Sequence, residues 1–483
     1  MKKIVFLIIV AIITAVGIGG YFIFKKPVLI PEPKPTIEKI SNNSPFGALP
    51  FFSFSEPTLK NSAPPGPEKL DFAPTKDLGL KWGRAHYLTW PTVQPTKEDV
   101  DKEIYNWSNI DVFIGSFPKG FNVVENIVGF STQTTNEKGE PSHGFSFPNK
   151  NVEEGFIRFV KKAVERYDGD GKNDMPNLKS PIKYWQVENE PDLSSKDLDG
   201  FANLQKITYV AIKSACPDCK VLMGGMAGGT GGLNFFKPVL EKLGGKYFDV
   251  FDYHCYGTKD GWKKCGDLAG KIKKAFPNYD FEIWLTETGT FSGSTSVRLN
   301  DGAYTNQTEK EQAKAVVKYN IYPLSKNVKK VFWAWGILEG FGENGDTLFN
   351  KTGLIYDGQD SDDLGFGVKK LSYYTYKKMV EVLEGSDWDN IETIQEKDGV
   401  YVYKFMKGGQ PIWVAWNDND DEKEIVIGGI GLNKVKITEA VPSYSSGKEV
   451  ANYSTAFSTK TVSVENGKVS LSIKDKPLFV ETN

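Results

Sequence analysis

The feature that most restricts this chain is an alternation that begins near Phe46: a short apolar run followed by a stretch of helical period, repeated eight times. The runs are FGALPFFSF, LKWGRAHY, FNVVENIVGF, IKYWQVENE, KVLMGGMAG, FDVFDYHCY, FEIWLTETG and VKKVFWAWGI. They are rich in Val, Ile, Phe and Trp and apolar on both parities, the pattern of strands covered on both faces. Among the intervening segments, EEGFIRFVKKAVERY repeats Phe156, Phe159, Val160 and Val164 on one helical face, with lysines and acids opposite. FANLQKITYVAIKSAC, LNFFKPVLEKLG, TEKEQAKAVVKYNIY and KKLSYYTYKKMVEVLEG are further helix candidates.

Buried strands alternating with helices predict a parallel sheet, and eight units predict a (β/α)8 TIM barrel over residues 46–385. A doubly wound sheet is the competing architecture. It usually carries a glycine-rich phosphate turn after its first strand, and FGALPFF offers none. From about Trp388 the pattern shortens to strands and turns, predicting a C-terminal all-β sandwich domain over 386–483. MKGG, NDND and ENGK read there as hairpin-type turns.

The chain opens with MKK, then an apolar run over residues 4–24, then Lys25 and Lys26. That length predicts an N-terminal membrane anchor helix rather than a cleaved signal. A proline-rich linker over 25–45 would hold the rest away from the membrane. The chemistry argued below places the bulk of the chain outside the cytoplasm. There, Cys216 with Cys219 and Cys255 with Cys265 could form bridges; reduced buried thiols are the alternative.

A net charge of −2 gives no reason to expect nucleic acid as a partner. The three histidines form no His-x-His or His-Glu-x-x-His pattern, and no Walker loop or Gly-x-Ser-x-Gly elbow occurs. No metal and no cofactor are expected.

Barrel enzymes carry their chemistry at the C-terminal ends of the strands. Arg84 and His86 end the second run, Glu190 the fourth, His254 and Tyr256 the sixth, Glu287 the seventh, and Trp333 and Trp335 the eighth. Strands four and seven face each other across the mouth, so Glu190 and Glu287 could flank one bond of a substrate. Two acids across a small gap raise each other's proton affinity, which would keep one protonated near neutral pH. A neutral acid beside an anion is what glycosidic bond cleavage needs, at about 5 Å for retention and about 6.5–9.5 Å for inversion.

VENEP on the fourth strand and WLTETG on the seventh resemble the paired motifs of glycoside hydrolase clan A, the retaining (β/α)8 glycosidases; families 39, 5, 30 and 51 are the nearest. The resemblance spans Phe46 to Gly385. It implies Glu190 as general acid/base and Glu287 as nucleophile. It also implies Asn189 as a ligand of the sugar 2-hydroxyl and Arg84 as the cation holding Glu287 ionised. His254 and Tyr256 would line the sugar site, with Trp333 or Trp335 as its platform; His86, by its place at the end of the second run, is a further candidate to bind substrate. The expected substrate is a poly- or oligosaccharide. A surface glycan-binding protein without turnover, or a transglycosylase, are the alternatives.

Several residues have a structural reading. Glu188 is expected beneath the site, paired with Arg84 or a backbone group. Trp82, Trp185 and Trp284 are expected in the core, and His143 on a surface loop. The acid-rich YDGDGKND lacks the order of a calcium loop and is expected to be a solvated turn.

Overall fold

The computed structural model describes residues 44–57, 66–85, 88–128, 153–295, 306–340 and 347–482. The eight apolar runs supply eight parallel strands: β1 (Phe46–Leu49), β2 (Trp82–Ala85), β3 (Asn122–Val128), β4 (Tyr184–Val187), β5 (Lys220–Leu222), β6 (Val250–Tyr256), β7 (Glu282–Gly289) and β8 (Val328–Ala334). They close in sequence order, β8 pairing with β1. Helices follow the strands in turn: α1 (Ala73–Asp77), α2 (Ser108–Ser116), α3 (Glu153–Tyr167), α4 (Leu198–Ala215), α5 (Leu233–Leu243), α6 (Trp262–Ala275), α7 (Glu309–Ser325) and α8 (Leu371–Leu383). The five helix candidates named from periodicity are α3, α4, α5, α7 and α8.

Side chains on a strand alternate between the barrel interior and the helix layer. Trp82, Val124, Tyr184, Leu222, Val250, Trp284 and Phe332 point inward and form a closed apolar floor. Trp82 meets Trp284 edge-on at 5.3 Å, and Tyr184 at 4.6 Å. Gly47 leaves the room this floor requires, since a Cβ there would lie 2.7 Å from the Phe332 ring. Trp185, on the other parity, is buried among the helices.

The C-terminal part consists of β9 (Glu392–Lys397), β10 (Val400–Lys407), β11 (Gln410–Asn417), β12 (Lys423–Gly428), β13 (Lys434–Glu439), β14 (Thr459–Ser463), β15 (Lys468–Ile473) and β16 (Leu478–Glu481). Six strands pair in the order β9-β10-β11-β16-β13-β14, while β12 and β15 form a second sheet. Val402, Trp413 and Val480 from the first share one apolar core with Ile425 and Leu471 from the second. Of the three turns read as hairpin-type, MKGG joins the paired strands β10 and β11, and ENGK closes a two-residue turn in which Glu465 and Lys468 bridge across Asn466 and Gly467, both at positive φ, while NDND carries the chain from one sheet to the other. Asp398 and Gly399, both at positive φ, close the hairpin from β9 to β10 in the Asp-Gly manner.

The segment expected to anchor the chain, 4–24, and all but the end of the linker lie outside the described residues. Among the described residues no helix is long and apolar enough to cross a membrane. Both anticipated cysteine pairs are disulfides.

The barrel and the β-sheets share a seam. Trp262 of α6 packs edge-on against Tyr401 at 5.0 Å, Trp416 at 5.5 Å and Tyr322 of α7 at 4.8 Å. Trp416 is fully buried, so truncating it empties the seam. Trp416→Ala is expected to destabilise the chain by about 3–5 kcal/mol. Urea unfolding followed by fluorescence should show barrel and β-sheets melting in one shifted transition.

Candidate active site

Two residues beyond the floor, the inward positions turn polar: Arg84, Asn126, Gln186, Asp252 and Thr286, all fully buried. A buried guanidinium must have its donors satisfied. Arg84 Nε donates to Gln186 Oε1 at 2.8 Å, Nη2 to Asn189 Oδ1 at 2.6 Å and Nη1 to Glu287 Oε1 at 2.5 Å. Gln186 is oriented in turn. Its Nε2 donates to Asp252 Oδ2 at 2.5 Å, which also accepts from Thr286 Oγ1 at 3.0 Å. Asn126 Nδ2 donates to the Glu188 carbonyl at 2.7 Å.

Glu287 reaches this layer because β7 breaks its alternation. Trp284 and Thr286 face inward, so a regular strand would aim Glu287 at the helices. The pairing with β6 skips a residue between Leu285 and Glu287, and the pairing with β8 skips again after Leu285. This β-bulge turns Glu287 into the barrel. Its second oxygen accepts from Tyr256 Oη at 2.8 Å.

The fourth strand ends differently. Glu188 (φ 68°) and Glu190 (φ 54°) both adopt left-handed backbone, costing of order 1 kcal/mol each for non-glycine residues. The turn is held by Glu190 N–H donating to the Gly224 carbonyl at 2.8 Å. Asp192, next along, accepts from Ala227 N at 3.1 Å and Gly228 N at 2.7 Å, tying this loop to the one after β5. Glu188 is buried and accepts from the Asn189 backbone N–H at 3.2 Å.

Glu190 therefore swings over the mouth, its side chain 20% exposed against 3% for Glu287. His254 Nδ1 sits between them, 2.7 Å from Glu190 Oε1 and 3.4 Å from Glu287 Oε2. A ligating oxygen of each glutamate and a ring nitrogen of His254 all lie within 4.8 Å of one another. Such a trio could in principle hold a metal, but the guanidinium of Arg84 already supplies the positive charge against Glu287. Gly225 backs the imidazole; a Cβ there would lie 2.4 Å from His254 Nε2.

The electrostatics separate the two acids. Burial raises the proton affinity of Glu190, with the charge of Arg84 pulling the other way. The cause is desolvation rather than the mutual repulsion expected from the sequence. Burial likewise lowers His254 to about 4, so the imidazole is neutral near pH 7, and pushes the Tyr256 hydroxyl well above its usual range.

Thus Arg84, Asn189, Glu190, His254, Tyr256 and Glu287 converge on one site. Trp333 does not join them. It is fully buried in the helix layer, edge-on to Tyr319 and Tyr376, with its indole N–H donating to the Thr352 carbonyl. Strand parity explains this, because Phe332 takes the inward position. Trp335, beyond the strand and partly exposed, is the aromatic left at the mouth. His86 and His143 lie outside the described residues. Sequence reasoning missed Gln186, Asp252 and Asn126. The available signal was a polar residue two places after five of the seven inward apolar ones.

A (β/α)8 barrel with two carboxylates across its C-terminal mouth is built as glycosidases are built. Residues 146–359, which include both glutamates, match the family model described as glycosyl hydrolase catalytic core. No curated protein matches the sequence. Among solved structures, the chain is similar to an alpha-L-arabinofuranosidase from Thermotoga maritima (TM-score 0.57, 12% identity, 92% of this chain and 96% of that one). It is also similar to a GH51 arabinofuranosidase from Xanthomonas axonopodis pv. citri (0.56, 11%, 90% and 95%) and a monomeric beta-xylosidase from Caulobacter crescentus (0.53, 14%, 84% and 90%). At such identities the likeness is one of fold. The family model supports a glycosyl hydrolase catalytic core over residues 146–359, and the solved structures show the same fold.

The depressed His254 has a thermodynamic consequence. Between pH 6.5 and about 4 the unfolded chain binds a proton at this residue that the folded chain does not, so stability falls as pH drops through that window. His254→Asn is expected to reduce the slope of unfolding free energy against pH there by about one proton. With three histidines in the chain, urea titrations at pH 4.5–6.5 would resolve the change.

Proposed function

We propose that this protein is a retaining glycoside hydrolase acting on poly- or oligosaccharides, with Glu190 as general acid/base and Glu287 as nucleophile. The observation that carries the reading is the carboxylate pair, with oxygens within 4.8 Å of each other. Oxygens that close support a retaining pair, whose carboxylates stand nearer to each other than those of an inverting pair.

The asymmetry of the pair supports this division of roles. Glu190, protonated more readily through burial and open to the mouth, gives its proton to the leaving oxygen. Glu287, held by Arg84 and Tyr256 as an acceptor only, bonds to the anomeric carbon as that oxygen departs. Glu190, now a carboxylate, takes a proton from water; the oxygen of that water replaces Glu287 on the sugar. Asn189 has its carbonyl occupied by Arg84, which leaves its NH2 to meet a sugar hydroxyl. Trp335 is the aromatic that would lie against the ring. Arabinofuranosides and xylosides, for which structural neighbours are named, are the first substrates to try. For location, the apolar run at 4–24 and the two disulfides support a membrane-anchored protein with its barrel outside the cytoplasm.

Glu190→Gln is expected to slow cleavage by about 10²–10⁴, least for substrates with good leaving groups, and to abolish the alkaline limb of the pH–rate profile. Mechanism-based fluorosugars of several configurations should label Glu287, read by peptide mass. Labelling elsewhere would remove Glu287 from its role. Sugar retention without release would favour a glycan-binding protein, and transfer to an added acceptor a transglycosylase.

A further inference from the structure

A second group of acids lies beyond β8, outside the catalytic pair. Glu339 follows the strand by five residues, and Asp357, Asp360, Asp362 and Asp363 come from the returning segment DGQDSDD. Carboxylate oxygens of Glu339, Asp357 and Asp363 lie within 4.8 Å of one another, and so do those of Asp360, Asp362 and Asp363. Asp363 belongs to both sets. The two parts of the chain are in close contact: a Cβ on Gly340 would lie 2.3 Å from Asp357 Oδ2.

Two lysines answer these five acids. Lys370 Nζ pairs with Glu339 Oε1, and Lys351 Nζ pairs with Asp362 at 2.5 Å and Asp360 at 3.5 Å. Glu339 is buried, its side chain 2% exposed, and its other oxygen, Oε2, has no hydrogen-bond partner among the described residues. A buried carboxylate oxygen with no donor is costly, and more lone pairs of other carboxylates surround it than lysines can neutralise. Asp357 accepts from the backbone N–H of Gln359, and Asp363 from those of Gln359 and Asp360, as Asp168, Asp170 and Asp174 accept within the acid-rich turn at 168–174. What sets the cluster beyond β8 apart is the buried Glu339 oxygen without a donor, which the turn at 168–174 lacks.

We propose that Glu339, Asp357 and Asp363, with Asp360 beside them, bind one calcium ion. Calcium takes six to eight oxygen ligands in irregular geometry, so crowded carboxylates from a loop suit it. Magnesium keeps several waters and an exact octahedron, which a cluster this dense in carboxylates disfavours. The ion would pin the segment 347–370 to the barrel rim. That segment matters to the catalytic site: Phe349 packs edge-on against Tyr256 at 4.9 Å, and Thr352 Oγ1 accepts from the backbone N–H of Trp335 at 2.6 Å.

The test uses the full chain, freed of cations by chelation and titrated with CaCl2 by calorimetry and by thermal melting. One calcium per chain and a rise in Tm of roughly 2–5 °C at saturation are expected. Asp363→Asn and Glu339→Gln should each weaken binding at least about tenfold, whereas Asp170→Asn should bind as the parent does. Terbium luminescence sensitised by Tyr356 gives a reading independent of melting. No binding to the parent protein, binding unaltered in both Asp363→Asn and Glu339→Gln, loss of binding in Asp170→Asn, or an equal response to MgCl2 would each overturn the proposal. None of these outcomes bears on Glu190 or Glu287.

Discussion

A guanidinium with no access to solvent stands at the centre of this barrel. Arg84 could not be buried there alone, because stripping its water costs several kcal/mol that only well-placed acceptors offset. Its acceptors come from three places: Gln186 on β4, Asn189 in the turn that follows, and Glu287 on β7. One side chain from β2 thereby fixes the positions of opposite walls of the mouth. The same contacts that satisfy the cation hold the nucleophile candidate in one orientation.

Around that cation the barrel departs from regular geometry where the chemistry demands it. A bulge in β7 brings Glu287 inward, and two left-handed residues carry Glu190 out over the opening. The Cys255–Cys265 disulfide and the Asp192 contacts to the next loop brace the strand ends on either side. The two glutamates consequently differ in environment although they share a site. Glu190 is open at its tip and desolvated by its surroundings; Glu287 is enclosed and hydrogen-bonded through both oxygens.

Much of this was legible beforehand. Eight apolar runs became eight strands in sequence order, because a strand buried on both faces leaves an unmistakable pattern. The strand-end rule also found Arg84, Glu190, His254, Tyr256 and Glu287. It failed where a local pattern meets a tertiary one. Trp333 and Trp335 were equal candidates for a sugar platform until parity gave the inward place to Phe332 and sent Trp333 among the helices. The turn at NDND looked like a hairpin because turn chemistry does not reveal which strand the chain will pair with next. The supporting layer of Gln186, Asp252 and Asn126 went unread, since each is an ordinary polar residue until the barrel closes.

What the sequence determined by itself was the architecture and the identity of the reactive groups, because period and strand-end position are properties of a short stretch. What only the tertiary structure decided was their relation. The distance between two carboxylates 97 positions apart, the direction Glu287 points, and the burial that raises the proton affinity of Glu190 all depend on closing the sheet. Closure sets which charges share a desolvated space, and Coulomb and solvation energies answer to that proximity, not to separation along the chain.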